Sequence, residues 1–281
     1  MPHFITHDAV DDAESIFPYS ELIVSDYFRK YRTAYFEMID KGFQIGKRNY
    51  LNLLQYISEI YTYNEQHTNG FAKVLRSAGN DWRNCEAIFS EIIVYRYYVR
   101  LVYEGIIKSV DKIKNQCDII IKRLDNSLAF LEVFCVMPRL SISGPDKTII
   151  NEIKTHTQDE SASIRQKLLR KIEKQKQFTE PRENFAVIEL NDTCIAGDFA
   201  ILSSLSDGYK ITFDKKSGKK RSEDYDWRTS VFQDRSTEFL KGIIYFSLGA
   251  YESRKYIENP MFKSAKNSEH SDSPEDALRH R

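Results

Sequence analysis

"CDIIIKRLDNSLAFLEVF", residues Cys117–Phe134, reads as a hydrophobic hairpin with two carboxylates set into it. Asp118 opens the first strand and Glu132 stands near the end of the second. Val, Ile, Leu and Phe occupy both alternating sets of positions, so both faces of the strands require cover from helices or other layers. Carboxylates in such a sheet lose hydration, and two of them close together repel. The stretch therefore poses two questions: what layers surround it, and what the acids do.

Register decides whether the acids meet. Asp118, Ile120, Lys122 and Leu124 share one face of the first strand; Phe130, Glu132, Phe134 and Val136 share one face of the second. A three-residue loop Asp125-Asn126-Ser127 pairs Asp118 with Phe134 and Ile120 with Glu132. Asp118 and Glu132 are then diagonal neighbours on one face, within reach of one ion. A two-residue loop puts them on opposite faces. Asn126 tolerates left-handed geometry, so the odd loop is the expectation. Mg²⁺ takes one or two carboxylates together with waters and a phosphate oxygen. Such a metal activates water and neutralises charge on a phosphodiester. The plain alternative is an Asp118 in solvent at the strand end and a Glu132 paired with a lysine.

On the N-terminal side, "NCEAIFSEIIVYRYYVRLVYEG" (84–105) is apolar almost all round, the mark of a long helix buried on several sides, with Glu91 in its middle. Residues 20–42, 49–66 and 70–79 carry apolar residues at helical spacing, after an irregular lead-in over 1–18. Residues 1–80 thus form a helical N-terminal region, in which Tyr50, Tyr56, Tyr61 and Tyr63 read as packing rather than a base-stacking platform.

On the C-terminal side, "SASIRQKLLRKIEKQKQF" (161–178) is a helix whose Ile164, Leu168 and Ile172 make an apolar stripe. Lys171 and Gln175, four apart on the edge of that stripe, either point at the sheet or belong to a solvated basic helix. "NFAVIELND" (184–192) is a buried strand, 194–205 a helix or loop, and 237–251 a short helical turn and a strand. Between them lies a charged excursion, 210–227, whose "KKSGKKR" (215–221) either contacts a phosphate backbone or is a solvated loop. Residues 261–281 are poor in apolar groups and expected to be a disordered tail. The order of elements gives an α/β domain over 81–260.

Lys+Arg and Asp+Glu are equal at 41 each in 281 residues. A uniformly basic nucleic-acid-binding surface is excluded, whereas a local basic groove is not. Cys85, Cys117, Cys135 and Cys194 form no CxxC pair and read as small buried hydrophobes in a reducing compartment. The polar, acidic N-terminus is no signal peptide and no apolar run reaches membrane-spanning length, so a cytoplasmic protein without membrane partners is expected.

Taken together, Glu91 in "FSEIIVY", Asp118 in "CDIII", Glu132 in "LEVF" and Lys171 with Gln175 in "LLRKIEKQ" resemble the PD-(D/E)XK nuclease superfamily. The resemblance covers roughly 84–192 and extends toward 260. It implies an α/β fold: a restriction-endonuclease-like core, with a mixed central sheet flanked by helices, joined to the α-helical N-terminal region. It also implies Mg²⁺ or Mn²⁺ on Asp118, Glu132 and the Val133 carbonyl, assisted by Glu91, for phosphodiester hydrolysis of nucleic acid, DNA above all. Lys171 would stabilise charge and Gln175 would orient water or phosphate. One departure stands out: the family's lysine two residues after the glutamate is Phe134 here. Either Lys171 replaces it, as in members whose lysine has moved to the neighbouring helix, or the fold persists without cleavage. In the second case the chain is a nucleic-acid-binding or protein-interaction module. A homodimer or a protein partner engaged through the helical N-terminal region is compatible with either.

Overall fold

A computed structural model describes residues 7–79, 81–112, 117–137, 164–166, 168–170, 182–191, 198–205, 210–224, 228 and 230–262. The chain divides into two compact units, Met1–Cys135 with Leu248–Arg254, and Val136–Ser247 with Lys255–Arg281. It is an α/β protein with a mixed six-stranded sheet, helices and an N-terminal helical region.

The first unit opens with α1 (His7–Ser15), α2 (Ser20–Ile23), α3 (Asp26–Asp40), α4 (Tyr50–Tyr63), α5 (Glu65–Ala78) and α6 (Trp82–Tyr103). The lead-in expected to be irregular is helical, because Val10 is fully buried and Glu14 is gripped by Arg32 and by the Tyr50 hydroxyl. The single helix expected over 20–42 is two, divided where the Ser25 side chain accepts the Phe28 N–H and starts α3. Asn64 caps α5 in the same way through the His67 N–H, so that helix begins before Gly70. Asp81 caps α6 through the Arg83 and Asn84 N–H groups. The tyrosines of α4 do pack: Tyr50 is fully buried, Tyr56 lies under Arg96 and Tyr61 meets the edge of Tyr19.

A buried ion pair ties these helices together. Arg48 donates to the Glu86 carboxylate at 2.6 Å, and the Tyr27 and Tyr31 hydroxyls donate to the other oxygen at 2.7 and 2.6 Å. Two side chains of α3 and one of the α3–α4 connection thus meet one α6 side chain, which satisfies a charge that burial alone would penalise. The segment Leu248–Arg254 belongs to this unit. Its Tyr251 hydroxyl lies 3.0 Å from that of Tyr98 on α6, and Arg254 stacks on Tyr97 and Tyr251.

After α6 come β1 (Ser109–Asp111), β2 (Ile119–Lys122) and β3 (Leu128–Val136), an antiparallel meander. The β2–β3 turn is odd, as expected, but sits one residue earlier. The Arg123 N–H donates to the Ser127 carbonyl, leaving Leu124-Asp125-Asn126 as the loop, with Asn126 at φ 69°. The Asp125 carboxylate accepts the Ser127 N–H, a contact that holds Ser127 at the edge of the loop rather than inside it. The faces stay as expected, but the partners change. Ile120 pairs with Phe130, not Glu132, so the expected pairing of Asp118 with Phe134 does not occur.

The second unit carries β4 (Glu183–Leu190), α7 (Asp198–Leu205), β5 (Lys210–Phe213), β6 (Lys220–Asp224), β7 (Leu240–Ser247) and β8 (Lys255–Glu258). Within it β4 and β7 are parallel and β8 is antiparallel to β7. Gly242 marks a close approach on β7. The Tyr256 ring crosses its α-carbon to reach Phe185, and a Cβ there would lie 2.6 Å from the Ile257 carbonyl oxygen. The charged excursion is an antiparallel hairpin, β5 with β6, separate from the main sheet.

Candidate active site

The β2–β3 register reads Ile121–Ala129, Ile120–Phe130 and Ile119–Leu131, where β2 begins; continued one residue further, into the bend before β2, it would set Asp118 opposite Glu132. Residues so opposed share a face with Cβ atoms about 4.5–5.5 Å apart, which would be closer than the diagonal arrangement expected from the sequence. Glu132 is 1% exposed, between Phe130 and Phe134 on its side of β3, and Asp118 is half-buried in the bend that precedes β2. Cys117, Ile120 and Phe130 form an apolar cluster beside them. The Cys117 thiol registers both acids. Burial first, then the charges of Asp118 and Glu132, push it up to about 12.

One Asp118 oxygen has a main-chain role. Oδ2 accepts the Val133 N–H at 2.8 Å. Val133 itself is buried, and its carbonyl belongs to the strand segment that separates the two acids from Phe134. Phe134, at the position where a lysine was sought, is 6% exposed. A buried ring here lowers the local dielectric and leaves no ammonium on this strand position.

Glu91 is also buried, but its carboxylate accepts Lys112 Nζ at 2.5 Å, and the same ammonium lies 4.3 Å from the Phe71 ring centroid. One turn along α6, the Tyr95 hydroxyl donates to the Val110 carbonyl and stands 2.5 Å from His67 Nδ1. With that hydroxyl proton on the carbonyl, His67 donates its Nδ1–H to the Tyr95 oxygen. Burial lowers the His67 pKa; the Lys112 charge lowers it further, against the opposing Asp111 charge. Sequence reading missed this set, Lys112, His67 and Tyr95, because its members lie in three different elements. It also passed over Glu189, fully buried on β4 in the second unit, although an acid inside "AVIEL" is a legible signal.

Lys171 and Gln175 lie outside the described residues; Ile164 and Leu168 of the same segment are helical and fully buried. Among the described residues, no group of three or more His, Cys, Asp or Glu is arranged to hold a metal ion. The donors at hand are therefore the carboxylates of Asp118 and Glu132 and nearby main-chain oxygens. That hard-oxygen set suits Mg²⁺, which uses few protein carboxylates and keeps several waters. Among the described residues no helix is long and apolar enough to cross a membrane. Compared with protein-family models, curated proteins and solved structures, the chain matches none.

Proposed function

We propose that the protein is a metal-dependent nuclease that hydrolyses phosphodiester bonds of nucleic acid, built on a restriction-endonuclease-like core. The nearness of Asp118 to the buried Glu132 carries this reading: the Asp118 carboxylate accepts the N–H of Val133, the residue next to Glu132, in an apolar hairpin where repulsion between two acids calls for a cation. Mg²⁺ or Mn²⁺ bound there would polarise a phosphoryl oxygen and supply a nucleophilic water. Asp118 and Glu132 hold the ion, the Val133 carbonyl adds a main-chain oxygen, and the Asp118–Val133 hydrogen bond keeps the first acid pointed at the second strand. Glu91 on α6 is neutralised by Lys112, so the assisting role expected of it at the metal would require that ion pair to open. Lys171 and Gln175 complete the reading as the phosphate-facing pair.

Phe134 favours a second reading. With an apolar ring in place of the lysine, the same fold binds nucleic acid or a protein without cutting. The two readings separate in one experiment. Single-stranded DNA, duplex DNA and RNA are incubated with Mg²⁺ or Mn²⁺ and wild-type, Asp118→Asn, Glu132→Gln or Lys171→Ala protein, beside calorimetric titration of Mn²⁺. The nuclease reading expects cleavage that all three substitutions abolish and Mn²⁺ binding that the two carboxamide variants lose. Cleavage surviving in every variant removes this site; absence of both cleavage and Mn²⁺ binding selects the silent reading.

A further inference from the structure

The β5–β6 hairpin concentrates charge at one end. Lys215, Lys216, Lys219, Lys220 and Arg221 lie at or beside its turn, with Asp214 as the only acid among them, in a chain whose formal net charge is zero. All five cations are exposed, whereas acids gather at the other end, where Asp224 pairs with Lys210 and Glu223 with Ile211. The turn itself is built rather than loose. The Asp214 carboxylate accepts the N–H groups of Lys216 and Ser217 and the Ser217 hydroxyl, and its other oxygen holds Arg221. Those bonds keep the Asp214 carboxyl below its ordinary value, so the turn stays capped near neutral pH. Gly218 at φ 66° closes it. The main chain of Lys216 and Lys219 belongs to this capped turn, so the turn holds the exposed lysines on a preorganised support.

The aromatic is the second observation. Phe213 is 56% exposed and pairs with Lys220, so ring and ammonium share one face of the hairpin. A single exposed ring is ordinary on a protein surface; what marks Phe213 is its place beside a cluster of cations. An aromatic face next to phosphate-binding cations matches the arrangement by which proteins hold single-stranded nucleic acid: bases stack on the ring while the backbone follows the positive charge. A duplex offers its phosphates but not its base faces, so it would leave Phe213 unused. An anionic bilayer takes up basic segments through several apolar side chains. Among the described side chains of the hairpin, Phe213 is the single exposed large apolar one.

We propose that the β5–β6 hairpin is a docking surface for single-stranded nucleic acid, with a base stacked on Phe213 and phosphates held by Lys215, Lys216, Lys219 and Lys220. This goes beyond the hydrolytic reading and does not depend on it, since binding is measured in EDTA, where no metal-dependent cleavage occurs.

The test is fluorescence anisotropy of a labelled oligothymidylate of roughly 16 nucleotides, titrated with the full chain. Four phosphate contacts predict a log–log salt slope of about −2.8, hence an affinity loss of roughly 50-fold between 50 and 200 mM salt. A Lys216→Ala/Lys219→Ala variant should flatten that slope by about 1.4. Phe213→Leu should weaken binding by roughly five-fold or more and Phe213→Tyr by much less, because leucine keeps the apolar area but lacks a stacking face. Circular dichroism of each variant should match wild type, as the substituted side chains are exposed. Three results overturn the proposal: no binding at about 100 μM protein near physiological salt, an unchanged affinity in Phe213→Leu, or tighter binding to phosphatidylserine vesicles than to the oligonucleotide. If the oligonucleotide binds as expected while no nucleic acid is ever cut, the docking surface stands and the hydrolytic reading falls.

Discussion

The carboxylate of Asp118 accepts the Val133 N–H at 2.8 Å, where the antiparallel ladder would next have offered the Cys117 carbonyl. Asp118 therefore closes the β2–β3 ladder with its side chain, besides the metal-binding role proposed for it.

These two roles separate by substitution. Asp118→Ala leaves the buried Val133 N–H without its acceptor and should cost about 1–3 kcal/mol of stability. Asp118→Asn keeps a side-chain oxygen for that N–H and should cost about 1 kcal/mol or less, while removing the charge a cation needs. Urea unfolding with and without Mn²⁺ reads both effects: the Asn variant should unfold near wild type in EDTA but gain no stability from the ion.

The Arg48–Glu86 pair should be costly to break. Both side chains are almost fully buried, at 6% and 2% exposure. Arg48→Met takes its cation from the buried Glu86 carboxylate while the Tyr27 and Tyr31 hydroxyls remain, and should cost about 3–5 kcal/mol. Arg48→Met with Glu86→Leu should cost clearly less than the sum of the single substitutions. Equal, additive losses in chemical denaturation would show that the pair is not coupled.

Gly242→Ala should destabilise the second unit by roughly 1–3 kcal/mol, through overpacking. The new methyl meets the Tyr256 ring and, at 2.6 Å, the Ile257 carbonyl oxygen. Adding Tyr256→Ala relieves the ring contact but not the main-chain one, so the double variant should not recover wild-type stability. Thermal unfolding checks this, and a full recovery would refute the main-chain clash.

His67 gives the fold a pH dependence of known sign. Burial lowers its pKa from 6.5, so the unfolded chain binds the proton more readily than the folded one. Its contribution is whole above pH 6.5 and shrinks as pH falls from there through the lowered folded value. The unfolding midpoint of wild type should therefore drop more steeply than that of His67→Gln between about pH 7.5 and 5. Parallel profiles would show that His67 is not the responsible group.

Several elements were legible because one interaction dominates each. Helix α6 is apolar nearly all round, and such a segment has few alternatives to a buried helix. The odd length of the β2–β3 loop was legible because Asn126 accepts the left-handed backbone that such a loop needs. Where the loop begins was not, since it depends on which main-chain groups Arg123, Asp125 and Ser127 satisfy. Helix α1 was missed because its anchors, Arg32 and Tyr50, lie far along the chain. The β5–β6 hairpin was missed because its strands are charged and lack a clean apolar alternation.

By itself the sequence determined the α/β class, the buried helix before the meander, the hairpin with its two acids, and the phenylalanine where a lysine was sought. These follow from periodicity and residue type, which are local properties. Only the tertiary structure decided that Ile120 pairs with Phe130 rather than Glu132, that Glu91 is neutralised by Lys112, and that a run of lysines is held on a capped hairpin beside an exposed ring. Each of those depends on which distant groups complete a hydrogen bond or a charge, and pairings of that kind are set by packing across the whole chain rather than by neighbours in it.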